Sequence, residues 1–225
     1  NRAHFVPFPY CYRCPYGKKL DSCDYYCVNQ VERLFETEYN SFWDAKANEP
    51  EFVAFYVEPV QATGGYIIPP PEYFSRLHKI LKERKILLVD DEIQMGFFRT
   101  GKFWALENFG VQPDIVVFGK AMTNGLNPIS GLWATEALIS PTKFPPGSTH
   151  STFASNPLGT AATLATLLWI EKQQYEKKVM ESGAYFLRQL DALKKRHVTI
   201  GDVSGLGLAL RIEVTNPDRF TPDRA

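Results

Sequence analysis

Two hydrophobic periods alternate along this chain. Phe52-Val53-Ala54-Phe55-Tyr56-Val57 is a short, nearly all-apolar run and predicts a buried strand. Pro69-Pro70-Pro71 interrupts the pattern, and a helix is expected from about Glu72 to Arg84 with Tyr73, Leu77, Ile80 and Leu81 facing inward. Ile86-Leu87-Leu88-Val89 is the next apolar run and leads into Asp90-Asp91-Glu92; Ile115-Val116-Val117-Phe118 leads into Gly119-Lys120. An earlier stretch, 26–39, has Val28, Val31, Leu34 and Phe35 on one helical stripe, whereas 1–25 is rich in Pro, Tyr and Cys and reads as irregular. After Pro157 a helix rich in Ala, Thr and Leu is expected to about Gln173, then an amphipathic helix from about Tyr175 to Arg196, then a strand over Leu208–Val214.

Apolar strands alternating with helices predict a mostly parallel sheet covered on both faces. Residues 1–169 read as part of one large domain, and 170–225 as the start of a smaller one. Open parallel sheets place their sites beyond the carboxyl ends of the strands. Glu58, Asp91 and Lys120 occupy three such ends, which is the first functional clue.

Composition narrows the classes. The chain has 225 residues, with 25 Lys+Arg against 25 Asp+Glu, so the net charge is zero. A dedicated nucleic-acid binder carries a basic excess, and this chain does not. Hydrophobic residues make up 44%, enough for a packed core rather than disorder. No apolar run reaches the ~20 residues of a membrane helix. The start at Asn1-Arg2-Ala3-His4 shows neither an initiator Met nor a signal peptide, and the end at Asp223-Arg224-Ala225 completes no obvious element. A fragment of a longer, cytoplasmic protein is the expectation.

Four cysteines, Cys11, Cys14, Cys23 and Cys27, follow the pattern C-x2-C-x8-C-x3-C. Such a set can build a tetrahedral thiolate zinc site, form disulfides, or remain as reduced thiols in a loop. Reduced thiols with no metal are the favoured reading for a cytosolic chain.

Lys120 follows four apolar residues and a glycine, where partial desolvation favours the neutral amine. A neutral amine can form a Schiff base with an aldehyde. Asp91 ends a neighbouring strand, a crossover length earlier. Pyridoxal phosphate enzymes need this pair: a lysine for the cofactor aldehyde and a carboxylate for the pyridine nitrogen. Gly96-Phe97-Phe98-Arg99-Thr100-Gly101-Lys102 has the spacing of a phosphate loop, but Phe103 stands where Ser or Thr should hold magnesium. Ser151–Pro157 leads into a helix, and its hydroxyl and amide groups suit a phosphate. The four histidines match no catalytic spacing.

Four ordered motifs resemble the class III pyridoxal-phosphate aminotransferases. They are Val57-Glu58-Pro59-Val60-Gln61 with Gly64-Gly65 and Pro69–Tyr73; Leu88–Gly101; Phe118-Gly119-Lys120-Ala121 with Pro128–Gly131; and Thr152–Leu158. The opening Pro9–Gly17 resembles a cysteine-containing subgroup. The resemblance covers essentially the whole chain. It implies a fold-type I α/β enzyme, with a mostly parallel sheet between helices in the large domain and a smaller α+β C-terminal domain. It also implies a homodimer with active sites at the interface, an amino donor and a 2-oxo acid acceptor, and no nucleic acid or membrane partner. Lys120 would carry the cofactor as a Schiff base and shuttle the Cα proton. Asp91 would pair with the pyridine nitrogen, and Gln94 would sit near the phenolic oxygen. Glu58 would be a nearby polar residue, and Thr152 would bind the phosphate of the partner subunit's cofactor.

Thr63 stands where the family often has a glutamate, Phe98 where it often has glycine, and Met95 where it often has Thr or Ser. The family's N-terminal phosphate loop and ring-stacking aromatic, and its distal carboxylate-binding arginine, have no counterpart here. By itself the chain is therefore expected to bind cofactor weakly. A racemase or epimerase on the same scaffold, and a non-catalytic fragment, are the alternatives.

Overall fold

The computed structural model describes residues 3–39 and 41–223; the chain ends at Asn1-Arg2 and Arg224-Ala225 lie outside the described residues. In chain order the elements are α1 (Tyr26–Glu36), β1 (Trp43–Asp44), β2 (Glu49–Pro50), β3 (Ala54–Val57), α2 (Tyr73–Glu83), β4 (Leu87–Asp91), β5 (Ile115–Phe118) and β6 (Gly131–Ala134). They continue with α3 (Glu136–Ile139), α4 (Pro157–Glu171), α5 (Tyr175–Arg196), β7 (Ile200–Leu206) and β8 (Ala209–Val214).

The central sheet has the order β3-β4-β5-β6. β3, β4 and β5 run parallel, with Tyr56 opposite Val89 and Asp91 opposite Val117. β6 returns antiparallel to β5. The three parallel strands thus end together, and the chain leaves them at Glu58, Glu92 and Gly119.

One face of this sheet is closed by two amphipathic helices. α1 buries Val28, Val31 and Phe35, and α2 buries Tyr73, Phe74, Leu77, Ile80 and Leu81. These side chains recur every three or four residues, so one stripe meets the sheet at Val57 and Leu88. α4 starts with Pro157 at its first position and an Asn156 cap, whose side chain accepts from the Gly159 amide at 2.7 Å. The expectation of two covered faces is only half met, because α4 buries only Gly159 and leaves Leu158, Leu164, Leu168 and Trp169 exposed.

The two long C-terminal elements pack on each other. α5 lies against the β7–β8 hairpin, where a Cβ on Gly183 would stand 2.1 Å from the Gly207 carbonyl oxygen. Gly207 turns the hairpin at φ +57°, a left-handed conformation that suits glycine. The Leu208 amide then donates to the Arg99 carbonyl at 2.9 Å, tying the hairpin to the loop after β4.

Several element bounds differ from the sequence expectation. The first core strand starts at Ala54 rather than Phe52, and β4 runs on through Asp91. The helix expected over 26–39 ends at Glu36, where Thr37 turns extended. β1, β2, β6 and β7 were not expected; the first two are two-residue bridges, and β6 and β7 carry glycines that weaken a strand pattern.

Candidate active site

The carboxyl ends of β3, β4 and β5 bring four of the five candidate residues to one rim. Asp91 closes β4. Its Oδ2 accepts from the Tyr56 hydroxyl at 2.7 Å, and its Oδ1 accepts from the Ile93 amide at 3.1 Å. Both carboxylate oxygens are thereby oriented by their neighbours. Burial and the adjacent Asp91 charge push the Tyr56 hydroxyl up to about 12, so Tyr56 keeps its proton and remains a donor.

Lys120 follows Gly119 and opens a short 3-10 turn over Lys120–Thr123, at φ +43°. A left-handed backbone at a lysine is uncommon and costs roughly 1–2 kcal/mol. Its Nζ donates to Gln94 Oε1, and Gln94 Nε2 donates to the Tyr66 hydroxyl at 2.9 Å. Gln94 therefore links the lysine to the turn after β3. Glu58 is half-buried at the end of β3, and its Oε2 accepts from the Ala62 amide at 2.9 Å. The expected desolvation of Lys120 is not found. The residue is exposed, because the strand ends at Phe118 and the turn lifts the lysine clear of it.

Thr152 stands apart. It lies on an exposed turn before α4, and among the described residues no hydrogen bond joins it to the Lys120 group. Thr63 is exposed on the turn after β3. Phe98 adopts φ +68° and Phe97 φ +58°, so the position where a glycine was noted as usual does need a left-handed backbone. Phe98 is held there by ring contacts to Phe103 and Tyr175, with centroids 5.5 and 6.3 Å away.

A cavity of about 530 Å³ runs beside this rim. Tyr56, Glu58, Gln61 and Asp91 provide its polar wall, and the His4–Phe8 segment lies on its other side. The volume is in the range of small-molecule sites.

The placement of four residues was not legible beforehand. Tyr56 sits inside an apolar run, and only the strand register aims its hydroxyl at Asp91. Tyr66 lies on the turn after β3 and is marked only by its hydrogen bond from Gln94. Asp90 and Glu92 are both fully buried on the other side of β4, and Glu92 Oε1 accepts from the Leu106 amide at 2.9 Å. Burial holds both carboxyls above their ordinary range; the Glu92 charge raises Asp90 further, while hydrogen bonds hold Glu92 back. Alternating strand geometry separates this acid pair from Asp91. Asp91, not Asp90, lines the cavity beside the rim.

A lysine and an oriented aspartate thus stand at adjacent strand ends of an α/β sheet. Comparison with known proteins gives the family. The family model for class-III aminotransferases matches residues 3–224, and the chain belongs to that family. Its members depend on pyridoxal phosphate. A leucine/methionine racemase of Thermococcus litoralis is 38% identical over 223 residues, 99% of this chain and 48% of the relative. A probable 4-aminobutyrate aminotransferase of Bacillus subtilis is 37% identical over 221 residues, 97% of this chain and 48% of the relative. The chain thus spans about half the length of these curated relatives. Among solved structures, a thermostable (S)-enantioselective omega-transaminase from Thermomicrobium roseum superposes with a TM-score of 0.84 at 30% identity, covering 95% of this chain and 46% of the other. The fold is the mostly parallel α/β arrangement of fold-type I transaminases.

Proposed function

We propose that this chain carries the lysine-bearing part of a transaminase that moves an amino group from an amine or ω-amino acid to a 2-oxo acid. The observation that supports it most is the convergence of Lys120, Gln94, Asp91 and Glu58 at adjacent strand ends, with both Asp91 oxygens already hydrogen-bonded. The residues fit the family's cofactor: a primary amine for its aldehyde, and a fixed carboxylate for its ring nitrogen. Bound there, pyridoxal phosphate supplies an electron sink for a carbanion at the substrate Cα.

The chain's own side chains do the rest. Asp91, its carboxylate fixed by the Tyr56 hydroxyl and the Ile93 amide, would serve the ring nitrogen and favour its protonated form. Lys120 Nζ would hold the cofactor's aldehyde and act as general base and acid for the Cα proton. Gln94 positions that amine and would serve the cofactor's phenolic oxygen. Glu58 lines the polar wall. Thr152 would serve the phosphate of the partner subunit's cofactor in a homodimer, in keeping with its separation from Lys120 within one chain. Residues 170–225 begin the smaller domain, and the protein is read as cytoplasmic.

Racemisation is the second reading, favoured by the Thermococcus litoralis relative that spans 99% of the chain. Both reactions begin with removal of the Cα proton and differ in where it returns. Chiral analysis of a single amino acid without any oxo-acid acceptor separates them: inversion supports racemase, and an unchanged enantiomer supports transaminase. The primary test is borohydride reduction with added pyridoxal phosphate, followed by peptide mapping. One adduct at Lys120, lost in Lys120→Ala, is expected. Adducts spread over surface lysines would sink the assignment.

A further inference from the structure

Tyr56 occupies a strand position that packing does not account for. Its neighbours Phe55 and Val57 face the buried cluster that β3 forms with α1 and α2, so alternation turns Tyr56 to the opposite side. There it is 60% exposed, and a ring left in solvent adds little to a core. What it does have is a partner across the sheet. Val89 lies opposite Tyr56 in register, and Asp91 follows two residues on, on the same face. The Tyr56 hydroxyl spans that step and donates to Asp91 Oδ2 at 2.7 Å, the length of a charge-assisted bond.

The direction of this bond is well defined. Glu58 is the competing acceptor, but its Oε2 already accepts from the Ala62 amide. The charged groups acting on Tyr56 are Asp91, Glu58 and Asp90, all acids. Partial desolvation, the Asp91 hydrogen bond and these charges together push the hydroxyl up to about 12, so it stays a donor at neutral pH. The second tie on Asp91 is of another kind. The Ile93 amide that holds Oδ1 belongs to the same turn as Asp91 and moves with it. Tyr56 is carried by the neighbouring strand and holds the carboxylate from outside that turn. Each Asp91 oxygen keeps a further lone pair for another donor.

We propose that Tyr56 is a positioning residue for the cofactor's ring nitrogen, acting through Asp91. The assignment rests on the reading of Asp91 as the partner of that nitrogen, and adds what sets the strength of the contact. The Tyr56 hydroxyl fixes the plane in which the carboxylate presents its remaining lone pairs. Tyr56 makes and breaks no covalent bond, and its proton stays on the hydroxyl. A carboxylate free to turn must be ordered when the cofactor binds, whereas a pre-oriented one is not. Outer partners of binding side chains, best measured for metal ligands, carry about 10–100-fold in affinity.

The test compares two ligands on the full chain: pyridoxal phosphate, and its analogue with carbon in place of the ring nitrogen. Binding is followed by the Schiff-base absorbance. Tyr56→Phe keeps the ring and removes only the hydroxyl. It should raise the Kd for pyridoxal phosphate about tenfold, leave that of the carbon analogue unchanged, and keep the borohydride adduct at Lys120. In an Asp91→Ala background the same substitution should add nothing. Equal weakening of both ligands by Tyr56→Phe would mean a structural role only and overturn the proposal. A selective loss in Asp91→Ala but none in Tyr56→Phe would overturn the proposal and leave the reading of Asp91 standing. No selective loss in Asp91→Ala would overturn both. If a variant does not fold, or neither ligand binds, carbon-13 NMR of ring-labelled tyrosines decides. The Tyr56 signal, assigned by its loss in Tyr56→Phe, should remain protonated to pH ~11, and ionisation near the ordinary tyrosine value of ~10 would overturn the proposal.

Discussion

α2 and α4 teach opposite lessons about burial. α2 is the more polar helix, with Arg76, His78, Lys79, Lys82 and Glu83 along its length, yet it buries five large side chains. α4 has one acid and no base in fifteen residues, yet buries only a glycine. An amphipathic helix needs one partner surface and finds it in the sheet. A helix apolar on all sides is built for cover on all sides, and the described residues provide only part of it. Stability in this chain therefore resides on the α1–α2 side, while the side bearing α4 remains open.

Mutation at matched positions tests that contrast. Leu77→Ala, in a fully buried α2 position, should cost about 2–5 kcal/mol by urea denaturation. Gly183→Ala comes next. Its new methyl meets a backbone carbonyl that no rotamer change can move, so a loss of about 1–3 kcal/mol is expected, with the β7–β8 hairpin opening first by hydrogen exchange. Leu164→Ala, on the exposed side of α4, should change stability by less than about 0.5 kcal/mol. Equal losses at Leu77 and Leu164 would refute the asymmetry.

The buried acids sharpen the comparison from the closed side. Leu88 and Asp90 share one face of β4, so the well-packed layer ends in a carboxyl group with no hydrogen-bond partner on either oxygen. With its proton-binding strength raised by folding, Asp90 binds more protons folded than unfolded. Stability is then fully retained below pH ~4 and falls as pH rises above it. Asp90→Asn removes this ionisation and can donate to the unpartnered Glu92 Oε2. The variant should gain about 1 kcal/mol over the parent at pH 8 and show a flatter stability profile from pH 5 to 8. A profile parallel to the parent's would show that Asp90 does not titrate there.

The placement of much of the proposed site was legible because its residues lie at strand ends. An apolar run followed by Glu, Asp or Gly-Lys marks both the strand and its exit, so Glu58, Asp91 and Lys120 could be read without coordinates. Tyr56 could not. Its hydroxyl reaches Asp91 only because β3 and β4 run parallel in the register Tyr56 to Val89. The exposure of Lys120 was also misjudged. Apolar neighbours in sequence suggested burial, but the 3-10 turn over Lys120–Thr123 points the chain away from the sheet.

Periodicity, turn residues and composition are local quantities, and the sequence by itself determined what depends on them: the helices α2 and α5, the strand cores of β3, β4 and β5, and the residue types able to do amine chemistry. Tertiary structure decided what depends on pairs distant in sequence. It set the strand register that orients Asp91, the close approach of Gly183 to Gly207, and the side of β4 on which each acid falls. It also gathered four cysteines along the wall of one small cavity. Those outcomes depend on which surfaces meet, and no local pattern encodes a meeting.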